Sequence, residues 1–355
     1  MKQASIFVAG LVLASTAFAS RAEERPPEGR IRARVDVEEV LVDALVVGPK
    51  GDPIANLAPA DFTALVDGRV VPLTGAAWIP PGQSEAADLP PAAAAEAPGP
   101  SPSPAVVPSA APRFPEGRLL VFFFQTDFAR YRLKGHMEIA NEADRLLDGL
   151  LPTDRVAVVS FDSHLKLWLD FTSDREQIRK AVFRTIRIGR PPPVARSPFP
   201  SLAEHFDDSE AMKAATVERG VALTARALSP IPGAKFLLFF GWGLGVNRSP
   251  REGRDFAHAL ACLLEARVTV FSLDVTHADT HTLEGSLVAF AELTGGTYQK
   301  TYYFPAGALD RVLRGTRGRY VLSFARPAGP RGSHRIEITL KGRKGTVQVR
   351  PYYDD

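Results

Sequence analysis

The chain has 355 residues, more than a single hydrophobic core usually serves, so two folded units are expected. With 45% hydrophobic and 23% charged residues it has the composition of an ordinary globular protein, which excludes a disordered or fibrous chain. A formal net charge of +3 is too small to imply a nucleic-acid partner.

Residues 1–19 read as a secretory leader: Lys2, an apolar run from Ile6 to Leu13, then Ala17, Phe18, Ala19. The run is shorter than the roughly 18 apolar residues that a membrane span needs, and no later stretch reaches that length. A periplasmic or secreted location is therefore expected. Cys262 has no partner in the chain, so no internal disulfide can form; within its helical pattern it reads as a buried small residue, with a reactive thiol as the other reading.

From 31 to 78 the pattern is strand-like. Val35, Val37, Val40, Val42, Leu45 and Val47 surround polar residues, and turn signals follow at Gly48, Pro49, Gly51 and at Asp67, Gly68. Proline, alanine and serine dominate 79–116, a composition that buries too little apolar surface to offset its ordering entropy and so predicts a linker. Across 117–317 apolar runs at Leu119 to Phe124, Val156 to Phe161, Phe236 to Phe240 and Val268 to Leu273, with weaker ones at Leu165 to Phe171 and Thr297 to Lys300, alternate with helical patterns. One helical pattern joins Met137, Ala140, Ala143, Leu147 and Leu150. Ser173 with Glu176, and Ser249, Pro250 with Glu252, fit capping boxes. Continuous apolar strands between helices predict an α/β doubly wound parallel sheet. Residues 318–355 return to strands at Tyr320 to Phe324, His334 to Leu340 and Thr346 to Tyr352. Three strands are marginal alone, so they are expected to complete a small antiparallel β-sandwich with the N-terminal strands, the α/β domain being inserted between them.

The order of these segments resembles the exported bacterial proteins called von Willebrand factor A-related. The resemblance is carried by Val42, Asp43, Ala44, Leu45 with Asp61, Phe62; by Asp154, Arg155, Val156, Ala157; by Asp170, Phe171, Thr172, Ser173, Asp174; by Leu293, Thr294, Gly295, Gly296; and by Tyr320, Val321, Leu322. It covers most of the chain outside the leader and linker. In the wider A-domain family an Asp-x-Ser-x-Ser loop, a threonine from a second loop and an aspartate after the fourth strand hold a divalent cation, whose charge requires oxygen ligands and carboxylates. Here the loop positions are Gln125, Asp127 and Ala129, Gly241 stands near the expected aspartate, and Ser197 and Ser201 are the hydroxyls available in the second loop. No metal and no cofactor is expected.

In doubly wound sheets ligands gather where neighbouring strands send their connections to opposite faces. Under the family's strand order Gln125, Asp127, Phe128, Tyr131, Trp242 and Asn247 would share one loop face, with Trp242 either an exposed anchor for a protein partner or an inward-packed side chain filling the space an ion would take. Gly241, Gly243 and Gly245 lack the spacing of a dinucleotide loop. Asp274, His277, Asp279 and His281 invite a zinc reading but match no standard ligand spacing; an aspartate at that strand end is also a structural feature that the resemblance implies. No nucleophile elbow is present. Basic residues at Arg311, Arg314, Arg317, Arg319 and at Lys341, Arg343, Lys344, Arg350 read as solvated surface, with weak contact to an anionic envelope polymer or lipid as the functional alternative. The expectation is a non-enzymatic, exported protein-binding module. The rival readings are an envelope hydrolase with an unrecognised site and a cation-dependent adhesin working through Asp127.

Overall fold

The computed structural model describes residues 38–81, 83, 115–187, 189–245, 253–277 and 281–355. The expected leader, Val35, Val37, most of the linker, the capping box at Ser249, and the candidate residues Asn247 and Asp279 lie outside the described residues.

Four strands precede the linker: β1 (Glu39–Val47), β2 (Phe62–Val66), β3 (Arg69–Val71) and β4 (Gly75–Ile79). Asp67 and Gly68, both at positive φ, close the β2–β3 hairpin in the way its right-handed twist favours. Beyond the linker come β5 (Leu119–Gln125), α1 (Arg130–Asn141), α2 (Ala143–Asp148), β6 (Arg155–Phe161), β7 (Leu165–Thr172), α3 (Arg175–Ile186), α4 (Asp208–Lys213) and α5 (Val217–Leu228). They are followed by β8 (Lys235–Gly241), α6 (Arg254–Glu265), β9 (Val268–Asp274), α7 (Glu284–Leu293), β10 (Tyr298–Lys300) and α8 (Pro305–Gly315). The final strands are β11 (Arg319–Ala325), β12 (Ser333–Leu340), β13 (Thr346–Val349) and β14 (Tyr352–Asp354).

The central sheet has the order β10-β9-β8-β5-β6-β7. Counted within the domain this is 3-2-1-4-5-6 read from the β7 edge, the order of a doubly wound fold. Every residue of β5 and β8 is buried because both faces of the sheet are covered. Their side chains alternate accordingly. Leu119, Val121, Phe123, Leu237 and Phe239 face α5, α6 and α7, whereas Leu120, Phe122, Phe124, Leu238 and Phe240 face α1, α2, α3 and α8. Phe124 stacks on Phe240 with ring centroids 4.6 Å apart, and Phe123 on Phe239 at 5.3 Å.

Three local expectations need correction. The sheet is mixed, because β7 runs antiparallel to β6. Only three residues separate these strands, too few for the crossover that a parallel pair requires. The cap of α3 is Asp174, not Ser173: its carboxylate accepts from the backbone N–H groups of Glu176 (2.9 Å) and Gln177 (3.1 Å). The Met137 to Leu150 pattern is two helices broken at Glu142, and the break shifts the phase so that Met137 is exposed while His136 and Ile139 are buried.

The outer strands form two four-stranded antiparallel sheets, β13-β1-β11-β4 and β14-β12-β2-β3, each drawing strands from before and after the α/β segment. They share one core in which Val42, Val46, Phe62, Val66, Leu322, Phe324, Ile336 and Ile338 meet. Tyr320 lies within it, accepting from Leu57 N–H and donating to Ile54 O, both at 3.0 Å. Asp43 of β1 joins these sheets to the α/β segment through Arg267 (2.8 Å), and within its own sheet it pairs with Arg319 of β11 (2.9 Å). Burial opposes its charge, but the guanidiniums hold its carboxyl below the usual range.

Candidate functional site

The connection after β5 passes through α1 and α2 on one face of the sheet, and the connection after β8 passes through α6 on the other. The crevice between the ends of β5 and β8 is therefore the switch point of the sheet. Gln125, the last residue of β5, spans it. Its Nε2 donates to Gly243 O at 2.9 Å, and its Oε1 accepts from the N–H groups of Trp242 at 2.9 Å and Gly243 at 3.2 Å. Both ends of the amide are thereby used within the protein, and the side chain is only 7% exposed.

The residues present do not fit a divalent cation. At Gly241 a Cβ would lie 2.5 Å from both Gln125 Oε1 and a ring carbon of Phe239, so a carboxylate-bearing residue has no room beside the amide. Asp127 accepts from Ala129 N–H at 2.9 Å and forms an ion pair with Arg132. Ser197 and Ser201 turn to the far edge of the sheet, where their hydroxyls donate to Phe171 O and the Asp170 carboxylate, both at 2.7 Å. Among the described residues no group of three or more His, Cys, Asp or Glu side chains is placed to hold an ion.

Trp242 is not an exposed anchor. At 9% exposure it forms the floor of a cleft, under the Arg132 guanidinium 4.2 Å from its ring centroid and edge-on to His136 at 6.4 Å. Gly243, at φ 147°, makes this turn feasible, since a Cβ there would sit 2.3 Å from Leu283. The cleft, of about 350 Å³, is lined by Tyr131, Arg132, Trp242, Thr276, His277 and His281, among others. Tyr131 lines it and is 52% exposed, Phe128 is 79% exposed on the loop between β5 and α1, and Tyr303 and Phe304 are exposed on the loop before α8. The His277 ring joins Tyr303 to the cleft wall, with centroids 5.1 Å apart. Of the six candidate residues, then, two are exposed, Asp127 is partly buried, Gln125 and Trp242 are buried, and Asn247 lies outside the described residues.

Asp274 is buried and accepts from Tyr298 OH at 2.7 Å and Thr276 N–H at 2.9 Å, with His281 Nε2 at 2.9 Å. Burial, then the bonds to Asp274 and Glu284, push the Tyr298 hydroxyl's pKa upward, so it stays a donor. The oriented His281 faces a cleft whose described lining contains threonine hydroxyls but no serine or cysteine. Of the C-terminal basic residues, Arg314 pairs with Asp52, Arg319 with Asp43 and Arg343 with Asp61, and Arg350 donates to Leu264 O.

Sequence reasoning missed Arg132 and His136. They lie four residues apart, on one face of α1, and that spacing was the available signal. His136 is buried and its Nε2–H donates to Gln125 O at 2.6 Å, which leaves Nδ1 without a partner among the described residues. Burial pushes its pKa down to about 4 against the opposing pull of the Gln125 carbonyl and Asp127. Because the folded value lies below the unfolded one, the stability this neutral ring confers is complete above pH ~6.5 and is lost as pH falls towards ~4. Denaturant unfolding should accordingly lose about 3 kcal/mol across that window, and His136→Gln should flatten this limb. An unchanged slope in the variant would refute the assignment. His334, raised by its bond to Asp67, titrates with the opposite sign.

No protein-family model matches the chain, and no curated protein matches it. Solved structures do. Proximal thread matrix protein 1 from the mussel byssus is 12% identical, with 57% of this chain and 46% of that one covered and a TM-score of 0.38, so this chain spans about half of that protein's length. The protein BatB from Bacteroides thetaiotaomicron is 14% identical over 56% of this chain and 97% of its own, with a TM-score of 0.38. A von Willebrand factor type A protein from Catenulispora acidiphila is 11% identical over 67% and 65%, with a TM-score of 0.37. The fold class rests on the strand order, not on these matches.

Proposed function

We propose that this chain is an exported, non-enzymatic protein-binding module: a von Willebrand factor A-like α/β domain, carried on a β-sandwich built from its N- and C-terminal strands, that engages a protein partner through its loop face without a cation. One observation carries the reading. Tyr131 and Trp242 line a cleft at the switch point of the sheet, Tyr303 packs on His277 of its lining, and Phe128 and Phe304 are exposed on the loops that lead to α1 and α8. Large aromatic groups exposed together around a concave apolar floor are the usual anchors of protein interfaces. No described helix is long and apolar enough to cross a membrane.

The test is capture from the envelope fraction of the source cells by the full chain and by Phe128→Ala/Tyr131→Ala. Both side chains are exposed, so the double variant should melt within about 2 °C of the parent. It should nevertheless lose the captured partner, and chelator should not affect capture by the parent. Capture retained by the double variant would overturn the loop-face reading, and capture abolished by chelator would favour the cation-dependent rival.

A further inference from the structure

A second concavity lies at the same end of the sheet but two strands away from β5, beside the edge strand β7. Segment 189–206 runs along that edge as a strap, and it is fixed at both ends. Lys166 Nζ donates to Gly189 O at 2.9 Å, and the Asp170 carboxylate accepts from Ser197 N–H (2.8 Å), Ser201 Oγ (2.7 Å), Leu202 N–H (2.7 Å) and Ala203 N–H (3.2 Å). Between these anchors Pro191, Pro192 and Pro193, each with a fixed φ, line a groove of about 700 Å³. Its size falls within the usual range of ligand sites, and its walls are held open by bonded structure.

The groove divides by chemistry. Leu165, Leu167, Val194, Phe206, Ala211 and Met212 supply an apolar floor and one wall. Arg190 and Arg196 stand exposed on the rim, with no ion-pair partner among the described residues, and His164 is beside them. Lys166 is neutralised by Asp162, and Asp208 also lines the groove. Setting Asp208 against one arginine still leaves the rim positive.

We propose that this groove binds an acidic peptide segment of a partner protein, an apolar side chain seated against Val194, Phe206 and Met212 and its flanking carboxylates held by Arg190 and Arg196. A flat anionic membrane could reach the rim arginines but not the recessed floor. Arginine suits the task because its planar guanidinium grips a carboxylate through two parallel bonds.

The experiment is fluorescence anisotropy with the full chain and a labelled hexapeptide in which a Leu-Phe pair is flanked by aspartates. Binding is expected at low ionic strength and should weaken as salt rises. Arg190→Glu/Arg196→Glu, with an unchanged melting temperature, should weaken it about tenfold or more, and so should replacing Leu-Phe by Ser-Ser in the peptide. Phe128→Ala/Tyr131→Ala should leave it intact, so failure here is separable from failure of the loop-face reading. The proposal is overturned if the arginine variant binds like the parent or if the Ser-Ser peptide binds equally well. It is also overturned if phosphatidylglycerol vesicles, rather than the peptide, bind in an arginine-dependent manner.

Discussion

Gln125→Ala should lower stability by about 3 kcal/mol, because the removed amide leaves the Trp242 and Gly243 N–H groups and Gly243 O buried without their partner. For a chain of this size that corresponds to a fall of roughly 6–12 °C in melting temperature. Gly241→Asp should be comparably damaging, since its Cβ would meet Gln125 Oε1 and Phe239 at 2.5 Å. The two substitutions should be coupled: in the Gln125→Ala background one of the clashing atoms is gone, so Gly241→Asp should cost less by about 1 kcal/mol or more. Simple additivity would show that the amide does not occupy the space assigned to it.

The second large effect lies at the opposite end of the sheet. Arg118, just before β5, is buried and donates from Nε to Asp154 Oδ1 at 2.9 Å and from a terminal nitrogen to Oδ2; its other terminal nitrogen bonds Leu313 O and Thr316 Oγ1, both at 2.7 Å. Asp154 also accepts from Leu151 N–H at 2.7 Å. The pair thus ties the starts of β5 and β6 to the end of α8. Asp154→Ala strands a buried guanidinium and should cost about 3–5 kcal/mol by chemical denaturation. Arg118→Met/Asp154→Leu should recover at least about half of that loss, because removing both charges avoids the unpaired one. A double variant as unstable as the sum of the singles would contradict the assignment.

These two sites show where sequence was informative and where it was silent. The runs Leu119 to Phe124 and Phe236 to Phe240 are apolar at every position, so strands covered on both faces could be read directly, and they appear as Leu119–Gln125 and Lys235–Gly241. The loss of carboxylates around Gln125 and Gly241 was equally plain. What took their place was not, because an amide that bridges two loops is visible only once Gly243 is brought to it. Trp242 was undecided for the same reason: its burial depends on Arg132, in the first turn of a helix more than a hundred residues earlier in the chain. Arg118 and Asp154 look like ordinary loop charges in sequence, since nothing local reveals that each neutralises the other in the interior. The direction of β7 was legible and overlooked, as the short step from Phe161 to Leu165 permits only a hairpin.

Titration calorimetry of the full chain with manganese tests the central claim most directly. With Gln125 bonded at both ends of its amide and Asp127 held by Arg132, no heat of binding and no rise in melting temperature is expected at millimolar ion. A micromolar isotherm that Asp127→Ala abolishes would contradict the account.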